Sequence, residues 1–414
     1  MPRCARSMIA CGAFLHLASA AADGETLREI AQRKGVVFGA MILDQTWQAP
    51  QQQALVAAEF GAATVGTFWN RTRPAPGVFD WSVTDDAVQW AGAQGMAIHL
   101  HPLLYPADVQ NPQWVRDELD NNPAGALALL EDHMRNAMTR YKDVVDVWDV
   151  VNEAVDPSGG YRPSKWKTAL ESDPNVDNYV VEAFRIARRI DPDATLLYNE
   201  HDIELSSGYQ TNKWNWTKQI IQALDAEGLV DGLGWQLHTT PDEVLGAQFV
   251  AAERMQWVLD LGLKNYVTEL DLEIGLGADQ LDRQRQAYEE VVRVWLDKSG
   301  GGWLQTWGVY DGQSWLGSDK RPLLFDDNYA PKPARQGVAD ALYSVPDLGD
   351  LNGDASIDAT DLGLLAAAAA AGSTDRRYDL NRDGVVDFAV GAAGVTSDSD
   401  YLVRVLLDTE YGDV

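Results

Sequence analysis

VVDVWDVVNEA, Val144 to Ala154, is an almost unbroken run of β-branched and aromatic residues that ends in Asn152 and Glu153. Apolar residues without polar alternation predict a strand buried on both faces, as in a parallel sheet. A carboxylate at the last position of such a strand gains nothing from packing, so Glu153 is a candidate for chemistry. Further along, KNYVTELDLEI, Lys264 to Ile274, repeats the design and carries Glu269 and Asp271.

Outward from this stretch the same unit recurs. Apolar strands are expected at VVFGAMI (Val36–Ile42), AATVGTF from Ala62, MAIHLHPLL from Met96, ATLLYNE from Ala194, GLGWQLH from Gly232 and LQTWGVYD from Leu304. Amphipathic segments separate them, among them Asp80–Gly95 and Thr217–Gly228, the latter closed by a glycine cap. A short helix ending at Gly35 precedes the first strand. Eight alternating strand–helix units predict a (β/α)8 TIM barrel, an α/β fold over residues 25–344, with its chemistry at the C-terminal strand ends.

Polar residues gather at those ends. His101 closes the third strand, Asn152 and Glu153 the fourth, Asn199 and Glu200 the fifth, Gln236 and His238 the sixth, Glu269 and Asp271 the seventh, and Asp311 the eighth. Two glutamates on opposite sides of a barrel mouth meet the requirement of glycoside hydrolysis, where one carboxyl exchanges a proton and the other attacks the sugar or stabilises its cation. Mutual repulsion would make one of them hold its proton more tightly, and spacing does not say which.

Residues 1–20 carry Arg3 and Arg6 before an apolar stretch and then Ala18, Ser19 and Ala20, the pattern of a secretory signal peptide with its cleavage site. Cys4 and Cys11, the only cysteines, fall within it, so export would leave a chain with neither disulfides nor a catalytic thiol. Cys11 as a lipid anchor is the alternative. The net charge is −29, and loss of the leader makes it more negative, which argues against nucleic acid as a partner but not against a neutral polymer. No other stretch is apolar for long enough to predict a membrane span, and a secreted or cell-surface protein is expected.

Past Ser344 the composition changes. Residues 347–414 hold 14 Asp plus Glu against 4 Arg and no Lys, with the acids regularly spaced. Asp350, Asn352, Asp354, Asp358 and Asp361 fall at positions 1, 3, 5, 9 and 12 of a calcium-type loop, and Asp379, Asn381, Asp383 and Asp387 repeat the first four. Calcium is therefore expected here as a structural ion. The first loop has Ala355 where a glycine normally makes the sharp turn, and the second has Val390 at position 12. A helix ending in the alanines Ala366–Ala371 follows the first loop.

WDVVNEA and VTELDL resemble the acid/base and nucleophile signatures of family 10 glycoside hydrolases, the retaining endo-β-1,4-xylanases on a (β/α)8 barrel. The resemblance extends to GLGWQLH, WGVYDGQSWL and LLFDDNYAPKPA. It implies xylan as substrate, no cofactor for catalysis, Glu153 as acid/base and Glu269 as nucleophile. Asn152 would bond the sugar 2-hydroxyl, His238 would hold Glu269, and Gln236 would line the same subsite. His101, Tyr198 and Asp271 would support them, with Trp307 and Trp315 as an aromatic wall. Residues 347–414 resemble a dockerin module, which implies a cohesin-like partner.

The chain departs from the family pattern in places. TVGTFWNRTRP has no Lys near Phe68, HPLLYP has Tyr105 for a Trp and Pro106 for a second His, and YNEHDIE has Asp202 where an Asn is usual. These changes affect the glycone subsites, so a different β-1,4 glycan is an alternative substrate, and a catalytically weak carbohydrate-binding barrel an alternative role. His99 and His101 as a metal pair is a further alternative.

Overall fold

The structure, a computed structural model, describes residues 24–402 apart from 43–44, 276, 278–279, 355, 374–377, 381–385 and 387–396. The expected leader, and Asn381, Asp383 and Asp387 of the second acidic loop, lie outside the described residues. Eight parallel strands form the barrel: β1 (Phe38–Met41), β2 (Ala62–Gly66), β3 (Ala97–His101), β4 (Val147–Asn152), β5 (Thr195–Glu200), β6 (Gly232–Trp235), β7 (Lys264–Leu272) and β8 (Leu304–Thr306). Each pairs with its neighbours in sequence, and β8 pairs with β1 to close the ring. A two-residue strand, His238–Thr239, follows β6 and pairs with the far end of β7. No helix among the described residues is long and apolar enough to cross a membrane.

All eight expected strands are present, with shifted bounds. β4 begins at Val147 rather than Val144, because the N–H groups of Val144 and Val145 both donate to the Tyr141 carbonyl that ends the helix Ala126–Tyr141. The helix expected from Thr217 starts at Gly208. Its first turns bury Gln210, Lys213 and Trp214, so the inner face there is polar and aromatic, and no aliphatic period marks it.

The barrel interior is layered. Val147, Leu197 and Tyr266, from β4, β5 and β7, pack with Trp303 as an apolar cluster separate from the main core between strands and helices. Above it His99 on β3 reaches Gln305 on β8 at 2.8 Å, and these strands are not neighbours, so the bond crosses the interior. His99 and His101 both meet one oxygen of the fully buried Asp149, at 3.1 and 2.7 Å. Burial would raise the Asp149 carboxyl, but the two imidazoles outweigh it and hold it at about 2.

Two local irregularities position the mouth. The register of β7 shifts between Val267 and Leu270, and that of β4 between Asp149 and Val151. Strict alternation would point Thr268 and Glu269 to opposite faces, yet both reach Asn199 on β5. Beyond β8, Arg33 and Lys34 hold Asp347 at 2.8 and 2.7 Å. The helix Ala359–Ala370 then packs Leu365 against Leu380 and Leu402.

Candidate active site

The ends of β4, β5 and β6 turn sharply. Glu153, Asp202 and Leu237 all have positive φ, at 55°, 55° and 58°, a left-handed conformation that L residues adopt only when their surroundings enforce it. At Glu153 the surroundings are Tyr198, whose hydroxyl accepts the Ala154 N–H at 3.2 Å, and Glu200, which accepts the Val155 N–H at 3.1 Å. Glu200 also takes the Tyr198 hydroxyl at 2.6 Å and the Lys213 ammonium at 2.9 Å, and that ion pair is fully buried. Tyr198 thus supports the Glu153 turn from behind and does not face the mouth.

In front, a hydrogen-bonded chain joins the two glutamates. Asn199 gives one N–H to Glu269 Oε1 at 2.6 Å and the other to Asn152 Oδ1 at 2.9 Å, while its own Oδ1 accepts from Thr268 at 2.7 Å. Gln236 then bonds Asn152 Oδ1 at 3.0 Å and Glu153 Oε1 at 3.2 Å. Every polar atom of the Asn199 side chain is committed, so its orientation is fixed.

Glu269 Oε2 lies 3.2 Å from His238 Nε2, whose Nδ1 lies 2.9 Å from Asp271. Burial would lower the His238 imidazole, but Asp271 and Glu269 together hold it well above its usual value. His101 is shifted upward in the same way, by Glu269, Asp149 and Glu153 against burial. The other Asp271 oxygen accepts from Trp315 Nε1 at 2.8 Å. Trp315 is 58% exposed and meets His238 edge-on, while Trp307 is 9% exposed and packs against His101 and His238.

Repulsion between the two glutamates is expected to make one of them hold its proton more tightly, yet Glu153 holds its proton less tightly than an ordinary carboxyl. Burial pushes it up, but His201, the Tyr105 hydroxyl, Arg162 and Gln236 outweigh that and hold it below the ordinary range. His201 and Arg162 are not among the site residues expected from the sequence. Arg162 comes from a loop with no motif, and His201 follows Glu200 at a strand end where its polarity was the only available signal.

A cleft of ≈ 610 Å³ opens over these groups, lined by Phe68, Asn70 and Arg71 beyond β2, by Tyr105 and Gln110 beyond β3, and by His201 and Asp202 beyond β5. Asn152, Glu153, Gln236, His238, Glu269, His101, Trp307 and Trp315 complete it. The expected residues therefore meet in one cleft, Tyr198 and Asp271 standing behind it. The first acidic loop stands apart from this cleft. Asp350 accepts N–H groups of Gly353 and Asp354, and Asp358 and Asp361 form the capping box of the following helix. No group of three or more His, Cys, Asp or Glu among the described residues is arranged to hold a metal.

Two carboxylates facing one cleft at the C-terminal mouth of a (β/α)8 barrel are the arrangement that glycoside hydrolysis requires. Residues 26–341 match the model of glycosyl hydrolase family 10, and the chain belongs to that family. It is 29% identical over 325 residues to endo-1,4-beta-xylanase B of Thermotoga neapolitana, covering 74% of this chain and 88% of that protein. It is 32% identical over 332 residues to an endo-beta-1,4-xylanase of Cellvibrio japonicus, covering 70% of this chain but 52% of that larger protein. Among solved structures it resembles native xylanase 10B of Thermotoga maritima, with TM-score 0.68 and 28% identity over 77% of this chain and 98% of that one. It also resembles xylanase 10C of Cellvibrio japonicus in complex with xylopentaose, with TM-score 0.70 and 26% identity over 78% and 70% of the two chains.

Proposed function

We propose that the chain is a secreted endo-1,4-β-xylanase that retains anomeric configuration, with Glu269 as nucleophile and Glu153 as acid/base. The observation that carries this reading is the hydrogen-bonded chain from Glu269 through Asn199, Asn152 and Gln236 to Glu153. With its oxygens taken by Asn199 and His238, Glu269 is aimed and needs no reorganisation before it attacks the anomeric carbon. Glu153 protonates the departing glycosidic oxygen, then takes a proton from the water that releases the sugar from Glu269. Asn152 meets the 2-hydroxyl, and Trp307 and Trp315 offer indole faces to the sugar C–H surfaces. No cofactor enters these steps.

Xylan as the polymer is supported by the xylanases the chain resembles. The glycone subsites are read as divergent, with Phe68, Asn70 and Arg71 lining the cleft beyond β2 and Tyr105 beyond β3. Another β-1,4 glycan is accordingly the second reading.

Residues 347–414 are proposed as a dockerin-like module that holds Ca2+ and engages a cohesin-like partner at the cell surface. The oxygen donors of Asp350, Asn352, Asp354, Asp358 and Asp361 suit a hard cation, which the carboxylates would take in place of the amides they now accept. Chelation should lower the melting temperature of this module and leave that of the barrel in place.

The decisive experiment is hydrolysis of xylan, mixed-linkage glucan and cellulose, with the anomeric configuration of the products followed by NMR. Xylan cut internally with retention, lost in Glu269→Ala and rescued by azide in Glu153→Ala, is expected. Inverted products, or full activity in Glu269→Ala, would overturn the mechanism, and preference for a glucan would overturn the substrate.

A further inference from the structure

The two oxygens of Glu153 have unequal surroundings. Oε1 faces amide N–H groups of Gln236 and Asn152 at 3.2 and 3.4 Å. Oε2 meets the Tyr105 hydroxyl at 2.5 Å, the Arg162 guanidinium at 3.2 Å and His201 Nε2 at 3.6 Å. Three separate loops, after β3, β4 and β5, therefore converge on a single oxygen. Arg162 also donates from Nε to the Glu153 carbonyl at 2.9 Å, which fixes the left-handed turn. His201 is anchored through Nδ1, 3.0 Å from Asp202.

Other charged groups bear on this cluster. Glu200, paired with Lys213, lies 3.8 Å from His201, and His101 lies 3.8 Å from Glu269 on the opposite side. An ionised carboxylate only accepts hydrogen bonds, whereas a protonated one must place a proton on one of its oxygens. Around Oε2 the guanidinium can only donate, and the hydroxyl donates at the shortest distance, so this arrangement suits the anion.

Resting on the assignment of Glu153 as acid/base, we infer that Tyr105 and His201 are positioning residues that close on Oε2 and hold Glu153 as the anion that activates water. The second half-reaction is then pre-organised, and the first, which needs a proton on Glu153, fails earlier as pH rises. Tyr105 and His201 lie in HPLLYP and YNEHDIE, segments in which the resemblance implies altered glycone subsites. Asp202 and Glu200 shift His201 upward against burial, which favours the cationic form of the imidazole beside Oε2.

The sign of the effect is testable. Removing a donor from Oε2 lets Glu153 keep its proton to higher pH. Tyr105→Phe and His201→Gln should each move the basic limb of kcat/KM on a xylooligosaccharide upward by about one pH unit. A dinitrophenyl β-xylobioside, whose leaving group needs no proton, should show no such movement, while its turnover, limited by deglycosylation, falls several-fold. A basic limb that stays in place in both variants, or moves equally on both substrates, overturns the inference. Glu153→Ala separates this from the parent reading: if it keeps full activity on the oligosaccharide, the acid/base assignment fails, and the inference with it. If Glu153→Ala loses that activity and neither Tyr105→Phe nor His201→Gln moves the limb, the positioning inference alone fails.

Discussion

Adding a single methyl group at Gly234, on β6, should disable the site without touching a carboxylate. A Cβ there would lie 2.2 Å from Asn199 Oδ1, 3.0 Å from its Cγ and 3.1 Å from Thr268 Cγ2. The backbone itself accepts alanine, since Gly234 is not among the residues with positive φ, so the effect is purely steric. Non-bonded carbon contacts settle at roughly 3.5 Å, so the amide must withdraw by about an ångström. Asn199 has nowhere to go, being bonded to Thr268, Asn152 and Glu269. Overpacking costs about 1–3 kcal/mol and each weakened hydrogen bond about 1 kcal/mol more. A total of about 2–5 kcal/mol corresponds to a fall in Tm of roughly 3–8 °C for a barrel of this size. Loss of one oriented donor to Glu269 should also lower kcat by about a hundredfold. Thermal melting and turnover of an aryl β-xylobioside measure the two effects, with Gly92→Ala as control, because a Cβ at that helical position meets nothing within 4 Å. Gly234→Ala with Tm within ~2 °C of the parent and kcat within about twofold would refute the reasoning.

Lys213→Met leaves Glu200 buried without its cation and should cost about 3–5 kcal/mol, part of which Lys213→Met with Glu200→Gln restores; chemical denaturation measures both, and equal stability of the two variants contradicts the ion-pair argument. The Asp149 carboxyl is held at about 2, below its ordinary value of 3.8, so its stabilisation is present above about pH 4 and disappears as pH falls toward 2. Melting from pH 7 to 2 should show Asp149→Asn less stable than the parent at neutral pH, with the gap narrowing below pH 4; a constant gap would count against it. Trp315 is largely exposed, so Trp315→Ala should leave Tm nearly unchanged while raising KM for xylooligosaccharides about tenfold, and an unchanged KM would remove it from the sugar-binding wall.

Much of this was readable before any coordinates. Strands rich in Val, Trp and Leu such as VWDVVN and YVTELDL point to a sheet covered on both faces, and eight of them alternating with helices leave few alternatives to a barrel. The same count put Glu153, Glu269, Gln236 and His238 at one mouth, because parallel strands share a direction. Less was legible where side chains from distant segments interact. The start of the helix at Gly208 was hidden because its buried face carries Gln210 and Lys213. The capping box that Asp358 and Asp361 form at the helix Ala359–Ala370 was likewise not legible, because their spacing points to ligands and does not report hydrogen bonds to backbone N–H groups.

VVDVWDVVNEA by itself determined that a glutamate would end a buried strand, since strand, direction and position are local properties of composition and order. Only the tertiary structure decided what that glutamate is. Tyr105, Arg162 and His201 come from three loops and meet on one oxygen, against burial that acts the other way, and the sign of their sum decides whether Glu153 holds its proton more or less tightly than an ordinary carboxyl. Distances of a few ångströms control that sum, and spacing along the chain does not encode them.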